Sequence, residues 1–168
     1  FKVLPKPETT TTLRFELGLS EGLAKLRHAM TTPFEVSAAA YVDGAAYLRL
    51  EGFEDSVNFR AAQIGGDVVD FDWQSVRDAK ACKNADTIWR LSVLPSDAAV
   101  IASQLHKLGF ETPVFDWSGG LIWVTGGDGT DAPRQLARGQ GICMRGAFPT
   151  FAALPAPLAR ISAGLRTK

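Results

Sequence analysis

Hydrophobic and polar residues alternate along several short segments of the chain, and the segments between them show the spacing of amphipathic helices. Alternation with a period of two is typical of half-buried strands, whereas apolar residues three or four apart are typical of helices that bury one side. The first half of the chain therefore predicts the order βαββαβ. Its predicted strands span residues 10–17, 35–42, 45–51 and 67–71, and its predicted helices span residues 21–30 and 55–64.

The same order recurs in the second half, where strands are predicted at residues 87–93, 113–117, 121–125 and 142–145, and helices at residues 97–108 and 132–138. A shift of 76 residues superimposes the two halves. It brings together the pairs Arg14 and Arg90, Tyr41 and Trp117, Gly44 and Gly120, and Tyr47 and Trp123. We therefore predict an α+β fold of two ferredoxin-like units, with helices on one face of an antiparallel sheet. A single α+β sheet with accidental internal similarity is the alternative.

The repeat also predicts how the chain is organised. The two units span about residues 8–71 and 87–146, a helical connector about residues 72–83, and a terminal helix about residues 155–168. Ser20 and Ser96 are expected to cap the first helix of each unit, and Gly65 and Gly141 to end the second helix.

The segment WSGGLIW, at residues 117–123, places two glycines between two tryptophans and occupies the hairpin position of the second unit. The first unit has Asp43 and Gly44 at this position. Both dipeptides are typical of short β-hairpins, because glycine readily adopts the positive φ that such turns require. We therefore interpret the two glycines as turn residues rather than as part of a phosphate-binding loop.

Alternation also separates the residues beneath the helices from those on the other, open face of the sheet. The open face is predicted to carry arginine and aromatic side chains, namely Arg14, Tyr47, Arg49, Arg90 and Trp123. One interpretation is an ordinary solvated face with weak Arg–Glu pairs. The other is a docking surface for a ligand or a domain, since Tyr, Trp and Arg anchor interfaces and Arg binds carboxylates with two hydrogen bonds.

Composition narrows the possible partners. The chain has 18 basic and 18 acidic residues, so it lacks the positive charge expected of a nucleic-acid-binding protein. It contains no apolar run of about 18 residues that could span a membrane, and its first residues lack the pattern of a signal peptide. We therefore expect a cytoplasmic protein without nucleic-acid partners. The isolated Cys82 and Cys143 are expected to be buried free thiols, with a single bridge as the alternative.

Two polar segments have the composition of binding sites but not their complete pattern. Gly126–Thr130 (GGDGT) lacks the lysine of a phosphate loop and the third glycine of a dinucleotide fingerprint, and Asp128 would repel phosphate. A flexible connection is the better interpretation. Asp67, Asp70 and Asp72 could approach a hard cation but provide too few ligands, so a solvated edge is favoured over a metal site.

The titratable residues do not form a self-contained catalytic group. No Cys, Ser or Glu is spaced to make His28 or His106 part of a triad or an HExxH motif, so both are expected at the surface or at helix ends. Asp116 is the only acid in an otherwise apolar predicted strand. Either a perturbed pKa or simple turn capping would explain it.

Four segments resemble flavin-dependent oxidases of the vanillyl-alcohol oxidase superfamily. FKVLPKPETTTTLRFEL resembles the K-V-L-P-x-P junction at which the chain leaves the flavin domain and enters the substrate or cap domain. Similarity to the C-terminal region of the FAD-binding subunits of glycolate oxidases then continues, in order, to about Val124. The segments concerned are FEVSAAAYVDGAAYLRLEGFEDSV, TIWRLSVLPSDAA and FDWSGGLIWV.

The resemblance implies that residues 1–168 form a ferredoxin-like cap domain over the isoalloxazine edge of FAD, with a small 2-hydroxy acid such as glycolate as substrate. FAD would be held by an upstream domain, which we expect to be absent here, so the chain alone should carry no cofactor and be inactive. Expected partners are that upstream domain and other oxidase subunits, including an iron–sulfur subunit. The full-length protein would then be cytoplasmic or attached to a membrane through the complex.

The resemblance is to the companion flavin subunit, because no segment here provides the histidines and acid that hold a metal in the catalytic glycolate or D-lactate subunits. The matching residues are Trp89, Arg90, Trp117, Gly119, Gly120 and Trp123. The candidates facing substrate or flavin are Arg90, Trp123, Tyr47, Arg14 and Arg49, with Arg90 expected to bind the carboxylate. The alternatives are a non-catalytic module that docks an electron-transfer partner through the open face, or a stand-alone sensor that dimerises through sheet edges.

Overall fold

The computed structural model describes residues 6–127, 129–154 and 156–166. The strands are β1 (Thr9–Glu16), β2 (Ala38–Val42), β3 (Ala45–Gly52), β4 (Asp67–Val69), β5 (Ile88–Ser92), β6 (Phe110–Asp116), β7 (Leu121–Gly126) and β8 (Gly141–Arg145). The helices are α1 (Leu19–Met30), α2 (Glu54–Ile64), α3 (Trp73–Arg77), α4 (Ala98–Lys107), α5 (Ala132–Leu136) and α6 (Ala156–Arg166). The beginning of the predicted junction at residues 1–5, Asp128, and the predicted helix ends at Pro155 and residues 167–168 lie outside the described residues.

The eight strands form one antiparallel sheet with the order β4-β1-β3-β2-β6-β7-β5-β8. Each set of four neighbouring strands is one βαββαβ unit, whose first and third strands lie at its centre. The units join through β2 and β6, where Tyr41 pairs with Phe115 and Val42 pairs with Val114. The predicted α+β fold with two repeated ferredoxin-like units is therefore confirmed.

Four helices, α1, α2, α4 and α5, pack on one face of this sheet. Their apolar residues meet those of the strands in one cluster that extends through both units. Leu23 of α1 and Leu105 of α4 are completely buried there, as are Leu48 of β3 and Trp89 of β5. Full burial of a side chain of this size contributes about 2 kcal/mol. The two units thus share a core instead of each having its own.

The connector, which we define as residues 70–87 between β4 and β5, is not the continuous helix expected over residues 72–83. The helix α3 has only five residues, and Ala79 then adopts a left-handed conformation with φ of +46°. A 3-10 turn, Lys80–Cys82, follows. A non-glycine residue in the left-handed region interrupts the helix, so the connector bends.

The connector lies across the face that the alternation pattern leaves open. Phe71 stacks on Tyr47, with ring centroids 4.0 Å apart, and Nε1 of Trp73 donates a hydrogen bond of 2.9 Å to Oγ1 of Thr12. Val76 joins a small apolar cluster with residues of β2 and β6. The expectation of an uncovered face is therefore wrong for this part of the sheet. Alternation within a strand reveals its two sides, but not which other segment packs on them.

The helix ends agree only in part with the repeat. Gly65 ends α2 with a φ of +73°, as expected. Ser20 lies within α1, and Ser96 donates its hydroxyl to Asp97 instead of capping a backbone N–H. Gly141 begins β8, where a Cβ would come within 2.7 Å of the backbone of Arg134. Close packing, rather than a helix cap, explains this glycine.

Candidate functional site

A cleft of about 470 Å³ opens on the face of the sheet opposite the four helices. The connector forms one wall, and the hairpin between β6 and β7 forms another. Three of the four tryptophans of the chain and three arginines line it, together with one acid. These residues are Trp73, Trp117, Trp123, Arg49, Arg77, Arg90 and Asp116.

The hairpin that forms one wall differs from the two-residue turn expected. Asp116 pairs with Leu121, so four residues lie between the strands, whereas Val42 pairs with Ala45 across the turn of the first unit. Trp117 and Ser118 both have positive φ, at +52° and +58°. The longer turn removes Trp117 from the strand and leaves it 61% exposed at the mouth of the cleft.

Strand register corrects one residue pair of the predicted repeat. Tyr41 pairs with Ala46 in the first unit. The repeat equivalent of Ala46 is Ile122, and Ile122 pairs with Phe115. Phe115, not Trp117, is therefore the counterpart of Tyr41. The constant shift of 76 residues fails here because the second hairpin has two additional residues.

The glycines of this region serve the turn and its packing. Gly119 has a φ of +95°, and a Cβ there would come within 3.0 Å of Ala98 and 3.3 Å of Leu23. In the loop after β7, Gly127 has a φ of +93° and lies against the ring of Phe110, so that a Cβ would overlap it. These contacts explain the glycines without a phosphate ligand.

Arg90 is the charged group of the cleft that is least engaged by the protein. Its guanidinium lies 5.7 Å from the ring centroid of Trp117. Among the residues that the structure describes, none forms a hydrogen bond or an ion pair with it. Its counterpart Arg14 instead forms an ion pair of 2.8 Å with Glu16. Ser92 occupies the position of Glu16 in the second unit, so Arg90 lacks this neighbouring acid.

Arg49 enters the cleft from β3 and is held more firmly. Its Nε donates a hydrogen bond of 3.1 Å to Oγ of Ser37 and lies 3.5 Å from Oε1 of Glu51. Its guanidinium also lies 5.4 Å from the ring centroid of Trp73. Because only Nε makes these polar contacts, the terminal nitrogens of Arg49 remain free to bind a ligand.

Asp116 ends β6 and has both of the properties that its sequence position suggested. Its Oδ1 accepts a hydrogen bond of 2.7 Å from the backbone N–H of Trp117, so it caps the turn. Burial raises the pKa of its carboxyl group above the ordinary value, and this N–H and the charges of Arg49 and Arg90 lower the pKa only in part. The cleft therefore combines cationic groups with an acid that is easier to protonate than usual.

The structure brings three of the five sequence candidates, Arg90, Arg49 and Trp123, together in the cleft. Tyr47 is covered by Phe71, and Arg14 is engaged by Glu16. These two do not line the cleft, because the connector covers Tyr47 and Glu16 binds Arg14 in the first unit.

Sequence reasoning missed the contribution of the connector, which brings Trp73 and Arg77 to the cleft. A signal was present, because the otherwise polar segment DFDWQSVRDA contains Phe71, Trp73 and Val76 at spacings of two and three residues. Apolar residues at such spacings in a connecting segment indicate that it packs on the domain.

The other candidates of the sequence lie outside the cleft. His28 and His106 are exposed in the last turns of α1 and α4. Asp72 caps α3, and a hydrogen bond from Lys80 lowers the pKa of its carboxyl group.

Within the described ranges, no three His, Cys, Asp or Glu side chains are grouped to hold a metal. No helix in these ranges is long and apolar enough to cross a membrane.

The two cysteines are buried free thiols, as predicted. Cys143 belongs to the core beneath the helices, whereas Cys82 lies in a small cluster with Ile88 and Ala79. Because the two clusters are separate, each thiol serves as a small apolar residue in its own surroundings. Burial raises the pKa of Cys82, which lowers its reactivity.

The chain is 32% identical over 165 residues to the glycolate oxidase subunit GlcE of Escherichia coli strain K12. The alignment covers 95% of this chain and 45% of that protein, so the chain spans less than half of the length of this relative. No protein-family model matches the chain. The resemblance to glycolate oxidase subunits among the FAD-linked oxidases is thereby confirmed.

Proposed function

From its relationship to a glycolate oxidase subunit, we propose that this chain is the cap domain of an FAD-dependent oxidoreductase acting on a small 2-hydroxy acid. In this proposal an upstream domain of the full-length protein holds FAD, and residues 1–168 cover the reactive edge of the flavin. Other oxidase subunits, including an iron–sulfur subunit, are the proposed partners. The protein would be cytoplasmic, or attached to a membrane through that complex.

The observation that carries the proposal is the free guanidinium of Arg90 in a cleft lined by tryptophans. A partly desolvated arginine without an ion pair is well suited to a carboxylate, which it can bind through two parallel hydrogen bonds. Aromatic walls exclude water and strengthen such a charge pair. A cleft of about 470 Å³ is ample for a two- or three-carbon acid.

The cleft fits the edge of a flavin better than a whole dinucleotide. Trp117 is an exposed, flat aromatic surface beside Arg90, suited to contact with a flavin ring or its substrate. Gly119 and Gly127, in contrast, are explained by their positive φ and by close packing against neighbouring side chains, without a pyrophosphate. This chain therefore has residues for the substrate side of the site, and FAD would supply the chemistry of hydride acceptance.

In this arrangement the residues of the chain bind and orient the substrate. Arg90 would hold its carboxylate, with Arg49 adding a second positive charge from the neighbouring unit. Trp123, which also lines the cleft, would limit the size of the acid. Fixing the carboxylate at one end places the 2-carbon at a defined distance from the cleft mouth, which is how positioning lowers a reaction barrier.

The test is Arg90→Ala in the full-length protein with glycolate as substrate. We expect KM to rise by roughly ten- to hundredfold, because a hydrogen bond to a charged group contributes about 1.5–3 kcal/mol. Arg90→Lys should recover part of this loss by restoring the charge without the paired hydrogen bonds.

The matched control is Arg14→Ala, which removes the equivalent arginine of the first unit. Arg14 is paired with Glu16 outside the cleft, so KM should remain within about twofold of the unaltered protein. Steady-state kinetics with both variants decides the question. If Arg90→Ala leaves kcat and KM unchanged, Arg90 does not bind the substrate and the proposed role of the cleft is wrong.

The exposure of Trp117 beside Arg90 also favours a second candidate function, because Trp and Arg are the residues that anchor protein interfaces. In this case the same face would be a non-catalytic module that docks an electron-transfer partner. Anaerobic addition of glycolate to the isolated full-length subunit separates the two candidates. Bleaching of its flavin absorbance supports the cap function, whereas bleaching that requires the partner subunit supports the docking function.

A further inference from the structure

Asp116 lies in the cleft without an ion-pair partner. Its only hydrogen bond within the described residues joins Oδ1 to the next backbone N–H in the chain. The other charged side chains lining the cleft are Arg49 from β3, Arg77 from α3 and Arg90 from β5. Arg77 is engaged by Asp78 at 2.7 Å. Arg49 and Arg90 are therefore the charges that balance the Asp116 carboxylate.

The first unit shows that the fold does not require an acid at this position. Val42 is the register counterpart of Asp116, because both residues pair with the first residue of the strand that follows their hairpin. Val42 is buried and apolar. In the second unit, partial burial of a carboxylate at the same position costs free energy, which the hydrogen bond from the backbone of Trp117 offsets only in part. Such a residue is a candidate for ligand binding.

An anionic ligand in this cleft would bring a second carboxylate close to Asp116. Two carboxylates that share one site cannot both remain ionised at low cost, so one of them takes up a proton. The ligand would also compete with Asp116 for the positive charge of Arg90. Protonation of Asp116 removes the repulsion and turns the side chain from an acceptor into a donor.

We propose that the cleft binds a small carboxylate together with one proton, which Asp116 takes up from solvent and shares with the bound ligand in a hydrogen bond. No other bond is made or broken. The proposal rests on the proposed function, since it takes Arg90 as the group that binds the ligand. It makes Asp116 a specificity-determining residue. A ligand without a carboxylate cannot share the proton, so protonation of Asp116 does not strengthen its binding.

The electrostatics of the free cleft are consistent with this exchange. Burial is the largest influence on Asp116 and raises the pKa of its carboxyl group, while Arg49 and Arg90 lower the pKa only in part. When the ligand neutralises Arg90, one of the influences that lower the pKa is lost. The pKa of Asp116 therefore rises further on binding, and this difference between the free and bound states is what couples the proton to the ligand.

Calorimetric titration of the full-length protein with glycolate tests the coupling. Titrations between about pH 5 and pH 8, in buffers with different ionisation enthalpies, report the number of protons taken up. We expect uptake approaching one proton and an affinity that rises by up to about tenfold for each pH unit that the solution is lowered. The uncharged amide of glycolic acid should show no such uptake.

Asp116→Asn identifies the group that takes up the proton. The amide oxygen still accepts the hydrogen bond of the turn, so the variant should bind glycolate without proton uptake and with little dependence on pH. Asp116→Val, which carries the residue of the first unit, is a second variant with the same expected result. Asp43→Asn is the matched control, because Asp43 is exposed in the other hairpin and asparagine tolerates its φ of +49°.

The outcomes separate this proposal from the function on which it rests. Glycolate binding that depends on Arg90 but involves no proton uptake would overturn the role of Asp116 and leave the cap function intact. Proton uptake that persists in both Asp116 variants would have the same meaning. If Arg90→Ala does not change the binding of glycolate, both proposals are wrong.

Discussion

The two units of the sheet place an arginine beside an aromatic residue at the same register, and only one of the two pairs opens into a cleft. Arg14 lies opposite Tyr47 in the first unit, and Arg90 lies opposite Trp123 in the second. In the first unit Glu16 neutralises the arginine and Phe71 covers the aromatic ring. The scaffold is therefore shared, and the neighbouring residues decide which copy remains available to a ligand.

The difference arises from small local changes. The second unit has Ser92 where the first has Glu16, so its arginine loses an ion-pair partner on the same strand. Its hairpin has four residues between the paired strand ends instead of two, which moves Trp117 to the mouth of the cleft. The connector packs against both units: Phe71 stacks on Tyr47 of the first pair, and Trp123 of the second pair packs against the cluster that contains Ala79 and Cys82. The first pair is thereby covered, whereas Arg90 of the second pair has no ion-pair partner among the described residues.

The largest effects should come from the core positions where the units are most alike. Leu13 and Trp89 are repeat counterparts, both are fully buried, and both belong to the shared cluster. We expect Leu13→Ala to lower the free energy of unfolding by about 2–5 kcal/mol and Trp89→Ala by about 3–5 kcal/mol. Denaturant unfolding of the 168-residue chain, followed by circular dichroism, measures both.

Each variant should shift one cooperative transition, because the core passes without interruption from one unit to the other. Val68→Ala is the control, since Val68 is 72% exposed and its truncation should cost little. Two separate transitions, only one of which responds to each substitution, would show that the units fold independently despite their continuous sheet.

A smaller effect should follow from giving the second unit the ion pair of the first. Ser92→Glu places an acid beside Arg90 as Glu16 lies beside Arg14. We expect the affinity of the full-length protein for glycolate to fall by up to about fivefold, because an exposed ion pair contributes up to about 1 kcal/mol. The dissociation constant from calorimetry measures this change.

The reciprocal change, Glu16→Ser, is its control. It frees Arg14, but Phe71 still covers the neighbouring Tyr47, so no second binding site for glycolate should appear. If Ser92→Glu leaves the affinity unchanged, the absence of an ion pair is not what distinguishes Arg90 from Arg14.

The smallest effect concerns the pH dependence of stability at Asp116. Because burial raises its pKa in the folded protein, the protonated form favours folding. The contribution is fully present below the ordinary aspartate pKa and is lost as pH rises through the raised value. Asparagine does not titrate, so Asp116→Asn should not lose stability as pH rises. At neutral pH its free energy of unfolding should exceed that of the unaltered chain by about 0.5 kcal/mol or less.

Unfolding curves of the unaltered chain and of Asp116→Asn, measured from about pH 3 to pH 8, provide the comparison. The two curves should converge at low pH and separate as pH rises. Val42, its counterpart, does not titrate, so the first unit contributes no such dependence at this position. A variant that loses stability at neutral pH would indicate that the carboxylate has a favourable charge partner in the folded state.

Much of the fold could be predicted because the alternation of apolar and polar residues within each strand shows which of its sides is buried. Alternation separated Trp89 and Leu91, beneath the helices, from Arg90 on the opposite face, and a constant shift exposed the repeat. These signals are local, since one buried face imposes a period of two on a strand regardless of its partners. Arg49, Arg90 and Trp123 were found in this way.

The remaining features depend on contacts between distant segments. The path of the connector follows from the left-handed Ala79 and from Phe71 and Trp73 packing on β3 and β1. The four-residue turn at Trp117 depends on how Gly119 packs against α1 and α4. The apolar spacing within the connector indicates that it packs on the domain, but no pattern within either segment reports which residues it contacts.

The sequence by itself determined the two βαββαβ units and which residues of each strand share a face, including the arginines on the face away from the helices. It could do so because burial imposes hydrophobic periodicity on each element separately. Only the tertiary structure decided which of these arginines stays free. Phe71 covers Tyr47 in the first unit, and Trp117 lies beside Arg90 in the second. These contacts join segments that are distant in sequence, so they are set by the packing of the whole sheet.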